Sequence, residues 1–212
     1  PEDFNNYGAR RGNWEVMVRG TFANPRIKNL IFGGEKEGGY TIFFPEMKET
    51  TVFEASELYK QYGIPLIVVA GKEYGAGSSR DWAAKGTHLL GIKAVIAESF
   101  ETIHRSNLIG MGVVPLRFKD TNAKELGITG KEKFFIPLKD LAPKKEIEVK
   151  MIRENGEEKT FKVIAEINTK VELEYIKHGG ILPYVLRKIL AKQKKKLIRR
   201  KNQKNKSESN SN

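Results

Sequence analysis

Leu66-Ile67-Val68-Val69-Ala70, followed by Gly71-Lys72-Glu73-Tyr74-Gly75-Ala76-Gly77-Ser78-Ser79-Arg80 and then Asp81-Trp82-Ala83-Ala84-Lys85, is the stretch that decides the fold. Its first five residues form a continuous apolar run rich in β-branched side chains. This is the pattern of a strand covered on both faces, and it predicts a central position in a sheet. The glycines allow a tight turn close to a ligand, and a short helix begins at Asp81. Ser78 or Ser79 can cap that helix, whose N-terminal N–H groups and dipole favour an anion, and Arg80 offers a planar two-pronged donor to a carboxylate. A small polycarboxylate suits the turn. A capped turn with two structural serines and a surface arginine fits the same spacing. Other motifs do not: no Gly-Lys-Ser/Thr closes a P-loop, Arg80 stands where a dinucleotide fingerprint needs its third glycine, and Gly-x-Ser-x-Gly is absent.

Working outward, Ile92–Ala97 reads as a second buried strand, and a helix over residues 103–111 leads to a strand over Val113–Phe118. The repeated βαβ pattern predicts a small parallel sheet with its functional loops at the carboxyl ends of the strands. Upstream, Val16–Phe22 reads as a strand followed by a turn at Asn24-Pro25. Gly33 to Gly39 reads as a loop, and Tyr40–Phe44 as a strand ended by Pro45. Thr51 and Glu54 make a capping box for an amphipathic helix through Ala55, Leu58, Tyr59 and Tyr62, stopped by Gly63. Downstream, Glu146–Lys150 and Thr160–Ala165 alternate like antiparallel strands joined by a turn at residues 154–157. After Gly179-Gly180 an amphipathic helix runs through Ile181, Val185, Ile189 and Leu190, and is expected to fray at Lys194-Lys195-Lys196. These elements predict an α/β domain over residues 1–190 and a disordered basic tail over 191–212.

Composition bounds the chemistry. At 212 residues and 39% hydrophobic content the chain can bury one substantial core. It has no cysteine, so a disulfide, a zinc-thiolate site or a cluster held by its own thiolates is excluded. Charges interrupt every apolar run, so no membrane partner is expected. The net charge of +12 is uneven: Arg187 to Asn212 holds eleven Lys/Arg against the single acid Glu208, and the remainder holds 27 basic against 25 acidic residues. The basicity therefore belongs to the tail and says little about nucleic acid. His88, His104 and His178 lack metal-ligand spacing and read as structural or exposed.

The stretch from Ala70 to Gly86 resembles the signature of the aconitase C-terminal swivel domain, in the branch that contains cytosolic aconitases and iron regulatory proteins. The resemblance continues through Leu89-Leu90-Gly91-Ile92-Lys93-Ala94-Val95 and through Glu101-Thr102-Ile103-His104-Arg105-Ser106-Asn107-Leu108-Ile109-Gly110-Met111-Gly112. It also includes Tyr7–Asn13, Arg19–Asn24, Val171–Tyr175 and Gly179–Leu182, so that it covers residues 3 to 190. It implies a swivelling β/β/α domain, a mixed sheet with flanking helices plus a C-terminal helix.

The resemblance further implies a hydro-lyase that interconverts citrate and isocitrate through cis-aconitate at a 4Fe-4S cluster with one open iron. The cluster would be ligated by cysteines outside this chain. Ser78 matches the family's serine base, and Ser79 and Arg80 match positions that bind substrate carboxylate. Partners are then a small tricarboxylate and the parent's preceding domains, and the isolated chain is expected to be inactive.

In the iron regulatory branch a stem-loop RNA can occupy the same cleft. There Arg26 matches an RNA-contacting arginine and Arg80 can serve phosphate. Leu30 stands where a second basic position belongs, Ala76 replaces a serine, and Pro25 enters the loop after Phe22. Two alternatives follow: a protein that is mainly a regulator binding stem-loop RNA of the iron-responsive-element type, and a small subunit of an isopropylmalate-isomerase-like hydro-lyase, which also carries Gly-Ser-Ser-Arg. The branch implies a cytoplasmic location, with the mitochondrion as alternative.

Overall fold

Backbone capping marks where the helices start. Asn13 accepts hydrogen bonds from the N–H groups of Glu15 and Val16, opening α1 over Trp14–Gly20. The strand expected over Val16–Phe22 is therefore helical. Its valines suit either element, but the Asn13 cap and the burial of Val18 on one helical face select the helix. The expected turn at Asn24-Pro25 is present, closed by the Ile27 N–H on the Asn24 carbonyl. Strand β1, Tyr40–Phe43, pairs antiparallel with β2, Lys48–Thr51. Thr51 then caps α2, Val52–Gln61, through a reciprocal box with Glu54, as its spacing predicts.

The computed structural model describes residues 6–77 and 81–209. Its main sheet has six strands in the order β3-β4-β5-β8-β7-β6. Strands β3 (Leu66–Val69), β4 (Ile92–Ala97) and β5 (Val114–Phe118) run parallel, joined by α3 (Asp81–Leu89) and α4 (Thr102–Gly110). The sheet turns antiparallel at the β5–β8 pair. Here β8 is Glu158–Ala165, β7 is Glu146–Ile152 and β6 is Lys133–Phe135. A one-turn helix, α5 (Ala123–Leu126), and a capped helix, α6 (Lys170–His178), complete the body. This is the expected α/β architecture: a mixed sheet, flanking helices and a C-terminal helix.

Alternate residues of the parallel strands feed two cores. Ala94 and Ile96 join Leu116, Val149, Met151 and Val163 on one face. Val95 joins Val18, Ala84 and Leu108, from α1, α3 and α4, on the other. β4 is thus covered on both faces. β3 is not central: it is the edge of the sheet, and all four of its residues are only half-buried. A continuous apolar run records that both faces touch something, not that both edges are paired.

At two positions far apart in sequence a glycine admits a close neighbour, a side chain at Gly86 and backbone at Gly112. A Cβ on Gly86 of α3 would lie 1.9 Å from Thr21 Oγ1, and one on Gly112 would lie 2.6 Å from the Gly179 carbonyl carbon. After that junction, α7 runs from Ile181 to Ser209 and continues through Lys194–Lys196, where fraying was expected. No Gly or Pro interrupts residues 184–209, and Lys, Arg, Gln, Leu and Ala favour helix. Among the described residues, no helix is long and apolar enough to cross a membrane.

Candidate active site

The chain leaves β3 along the β4–α4 connection and remains attached to it. The Ala70 N–H donates to the Ile96 carbonyl at 2.8 Å, and the Glu98 N–H to the Gly71 carbonyl at 3.0 Å. The Glu73 N–H donates to Ser99 Oγ at 2.7 Å, and Ser99 Oγ–H donates to the Glu73 carboxylate at 3.2 Å. Tyr74 closes the ladder: its N–H donates to the Ser99 carbonyl and its carbonyl accepts from the Glu101 N–H, both at 3.0 Å. The glycine-rich segment is thus a strand-like extension carried past the end of the sheet.

It then turns. Glu73 has φ +53°, Gly75 +92° and Gly77 +108°, and the Ala76 N–H donates to the Glu73 carbonyl at 2.9 Å. The glycines stand at two of these left-handed positions, which bears out the tight turn read from their spacing. The segment departs from Gly77 and resumes at Asp81, the first residue of α3. Ser78, Ser79 and Arg80 lie outside the described residues. The segment that leads into them passes the start of α4 at Tyr74-Gly75, and α3 begins at the residue that follows them. Glu101 caps α4, its carboxylate accepting the His104 N–H at 2.8 Å.

His104 is the histidine closest to this turn. Its side chain is buried and its ring meets Tyr74 edge-on, with centroids 5.3 Å apart. Burial pushes its pKa below the ordinary histidine value, and Glu101 opposes this only in part. The ring is therefore neutral near pH 7. Burial likewise raises the Tyr74 phenol. His88, in the last turn of α3, is lowered by burial and by Lys93, and His178 packs edge-on against Tyr184. The expectation that the histidines are structural or exposed fits these placements. The approach of His104 to Gly75 has no sequence signal, because 29 positions separate the two residues.

A cavity of about 300 Å³ opens beside Ser99, Thr102 and Asn168, but its cations are already engaged. Arg105 donates to Glu172 at 3.0 Å and to the Glu166 carbonyl at 2.8 Å, and Arg117 donates to Glu166 at 2.7 Å. This neutralised cluster braces α4 against α6 and is not an open carboxylate site. Arg26 sits on an exposed turn after Thr21 and Phe22, and Phe22 packs into the core that includes α3. Among the described residues no group of three or more His, Asp or Glu side chains could hold a metal ion.

The profile of the aconitase C-terminal domain family matches residues 1–121. The chain is 57% identical over 193 residues to aconitate hydratase A of Pseudomonas aeruginosa, covering 90% of this chain and 21% of that protein. It is 57% identical over 196 residues to aconitate hydratase A of Thermus thermophilus, covering 92% and 22%. With its Bacillus subtilis counterpart the identity is 54% over 189 residues, covering 88% and 21%. The chain therefore spans about a fifth of the length of these curated relatives. Among solved structures, a 3-isopropylmalate dehydratase from Methanocaldococcus jannaschii aligns with TM-score 0.44 and 25% identity, covering 72% of this chain and 87% of that one.

Proposed function

The chain belongs to the aconitase C-terminal domain family, and from that premise we propose that it supplies the base and the carboxylate anchors of an aconitate hydratase active site, completed by the preceding domains of a longer parent. The observation that carries this reading is the anchored turn. Hydrogen bonds from Ala70 to Tyr74 hold the glycine segment along residues 96–101, and α3 begins four residues after Gly77. Ser78, Ser79 and Arg80, which follow the glycines in sequence, are the residues that the family resemblance assigns to catalysis and substrate binding. The relatives' names support aconitate hydratase over the isopropylmalate alternative, and RNA roles for Arg26 and Arg80 rest on the resemblance alone.

Ser78 is the proposed base. A serine hydroxyl holds its proton far too tightly to be an alkoxide near neutral pH unless its surroundings stabilise the anion. Fixed N–H donors at a helix start, together with the guanidinium of Arg80, are suited to do so without reorganising during the reaction. The carbon-bound proton of citrate or isocitrate would pass to Ser78 Oγ. Ser79 and Arg80 would hold a substrate carboxylate, Arg80 through two parallel N–H donors. The family implies a 4Fe-4S cluster in the whole protein. The residues of this chain do not fit as its ligands, because thiolate ligation needs cysteine and there is none.

We also take residues 1–190 as the domain proper and 191–212 as a basic extension of it, and place the parent in the cytoplasm. The test of the main reading is citrate–isocitrate interconversion by the full-length, cluster-reconstituted parent and by this chain alone. Turnover by the parent and none by the chain is expected. Turnover by the isolated chain, or none by the parent, would overturn the reading.

A further inference from the structure

The catalytic assignment leaves His104, a buried titratable group beside the turn, without a role. His104 is 3% exposed, and its Nδ1 has no hydrogen-bond partner. A buried imidazole N–H left unpaired costs more than an unpaired lone pair, so the neutral ring carries its proton on Nε2 and Nδ1 is a bare acceptor. With Nδ1 sealed and unpartnered, this atom offers no route for a proton. The opposite edge of the ring is in use. An ideal Cβ built on Gly75 would lie 2.3 Å from His104 Cβ and Cγ and 2.4 Å from Cδ2, so the glycine Cα rests directly on the imidazole. Tyr74 packs edge-on against the same ring and against Phe100, with centroids 5.3 and 6.0 Å apart.

These contacts place a rigid planar side chain beneath the bend at Gly75, the first of the two glycine bends that precede Ser78. We infer that His104 is a positioning residue that acts through its shape: the ring sets the path of Tyr74-Gly75 and thereby the position of the serine base two residues beyond Ala76. The inference rests on the proposed role of Ser78 for its effect on turnover, but not for the seat itself. The seat explains why a side chain with an unsatisfied nitrogen lies at this point. It is rigid because α4 carries it one turn from the Glu101 cap, and the carbonyl of Tyr74 accepts from the N–H of that same Glu101. One helix start therefore holds both sides of the contact.

Three variants of the full-length protein test this, each read by steady-state citrate turnover and by amide hydrogen exchange. His104→Ala should lower kcat on the order of tenfold to a hundredfold with KM within about threefold, because an ångström of misplacement costs more in proton transfer than in binding. It should also speed exchange at residues 73–77 and leave the β7 and β8 amides unchanged. Gly75→Ala, which pushes on the ring from the other side, should reproduce that pattern. His104→Phe keeps the ring footprint and discards both nitrogens, and should restore kcat to within about threefold of wild type. A His104→Phe protein as impaired as His104→Ala would show that a ring nitrogen is required and overturn the inference. So would unaltered exchange at residues 73–77 in His104→Ala. If the exchange pattern appears but the wild-type parent does not turn over citrate, the reaction assignment fails and the seat stands.

Discussion

The two halves of the main sheet hold their shape by different means. In the antiparallel half, β7 and β8 pair through seven registered positions from Glu146↔Ile164 to Ile152↔Glu158, and alternate residues of β7 are buried. In the parallel half, β3 pairs on one edge only, its register shifts between Leu66 and Ile67, and none of its residues is fully buried. The antiparallel half is closed by its own ladder. The parallel half uses its outer strand to carry the turn, and is held there by Ser99, the Tyr74 ladder and the His104 ring. The denser pairing thus resides in one half and the candidate chemistry at the margin of the other.

That contrast can be broken at the junction. Leu116 of β5 is fully buried between the halves, and Leu116→Ala should cost about 2–5 kcal/mol. Urea unfolding should remain a single transition shifted to lower denaturant, and two separated transitions would show that the halves are independent. At the edge, Val68→Ala should cost about 1 kcal/mol or less, because half-buried methyls lose less on removal. A loss as large as that of Leu116→Ala would mean that β3 is as load-carrying as the strands inside the sheet.

A smaller effect concerns acid. Glu172 is partly buried, which by itself raises its pKa, but hydrogen bonds from Arg105 and the N–H groups of Asn168 and Thr169 outweigh this and leave it lowered. A lowered carboxyl pKa means that the stabilisation is complete above the ordinary value of 4.5 and is lost as pH falls through the lower folded value. The α4–α6 contact should therefore loosen below about pH 4.5, while Glu172→Gln should weaken the fold near neutrality and flatten that acid limb. Acid melts of the two proteins compare directly. Least of all, Lys28→Met, which removes an exposed partner of Glu37, should change stability by no more than about 0.5 kcal/mol.

How much of this was legible follows from the same contrast. The β7–β8 hairpin is legible because alternation and a Gly156 turn are local signals. The capping box of Thr51 and Glu54 is legible for the same reason. Thr169 and Glu172 carry the identical signature for α6 and give its start just as plainly. At Val16–Phe22 the valines signal a strand, but the Asn13 cap outweighs them and decides the helix. The edge position of β3 could not be read at all, since hydrogen-bond neighbours leave no trace in a strand's own composition. In the site, the glycines that make the turn are visible in sequence. The partners that fix it, Ser99 and His104, are visible only once the β4–α4 connection is folded against them.

The most direct test of the central claim is Ser78→Ala in the full-length, cluster-reconstituted protein, measured by citrate turnover and by thermal melting. Removal of a general base lowers kcat by about 10²–10⁴-fold, and the account predicts a loss of that size with substrate affinity and melting temperature unchanged. Turnover within about threefold of wild type would contradict it.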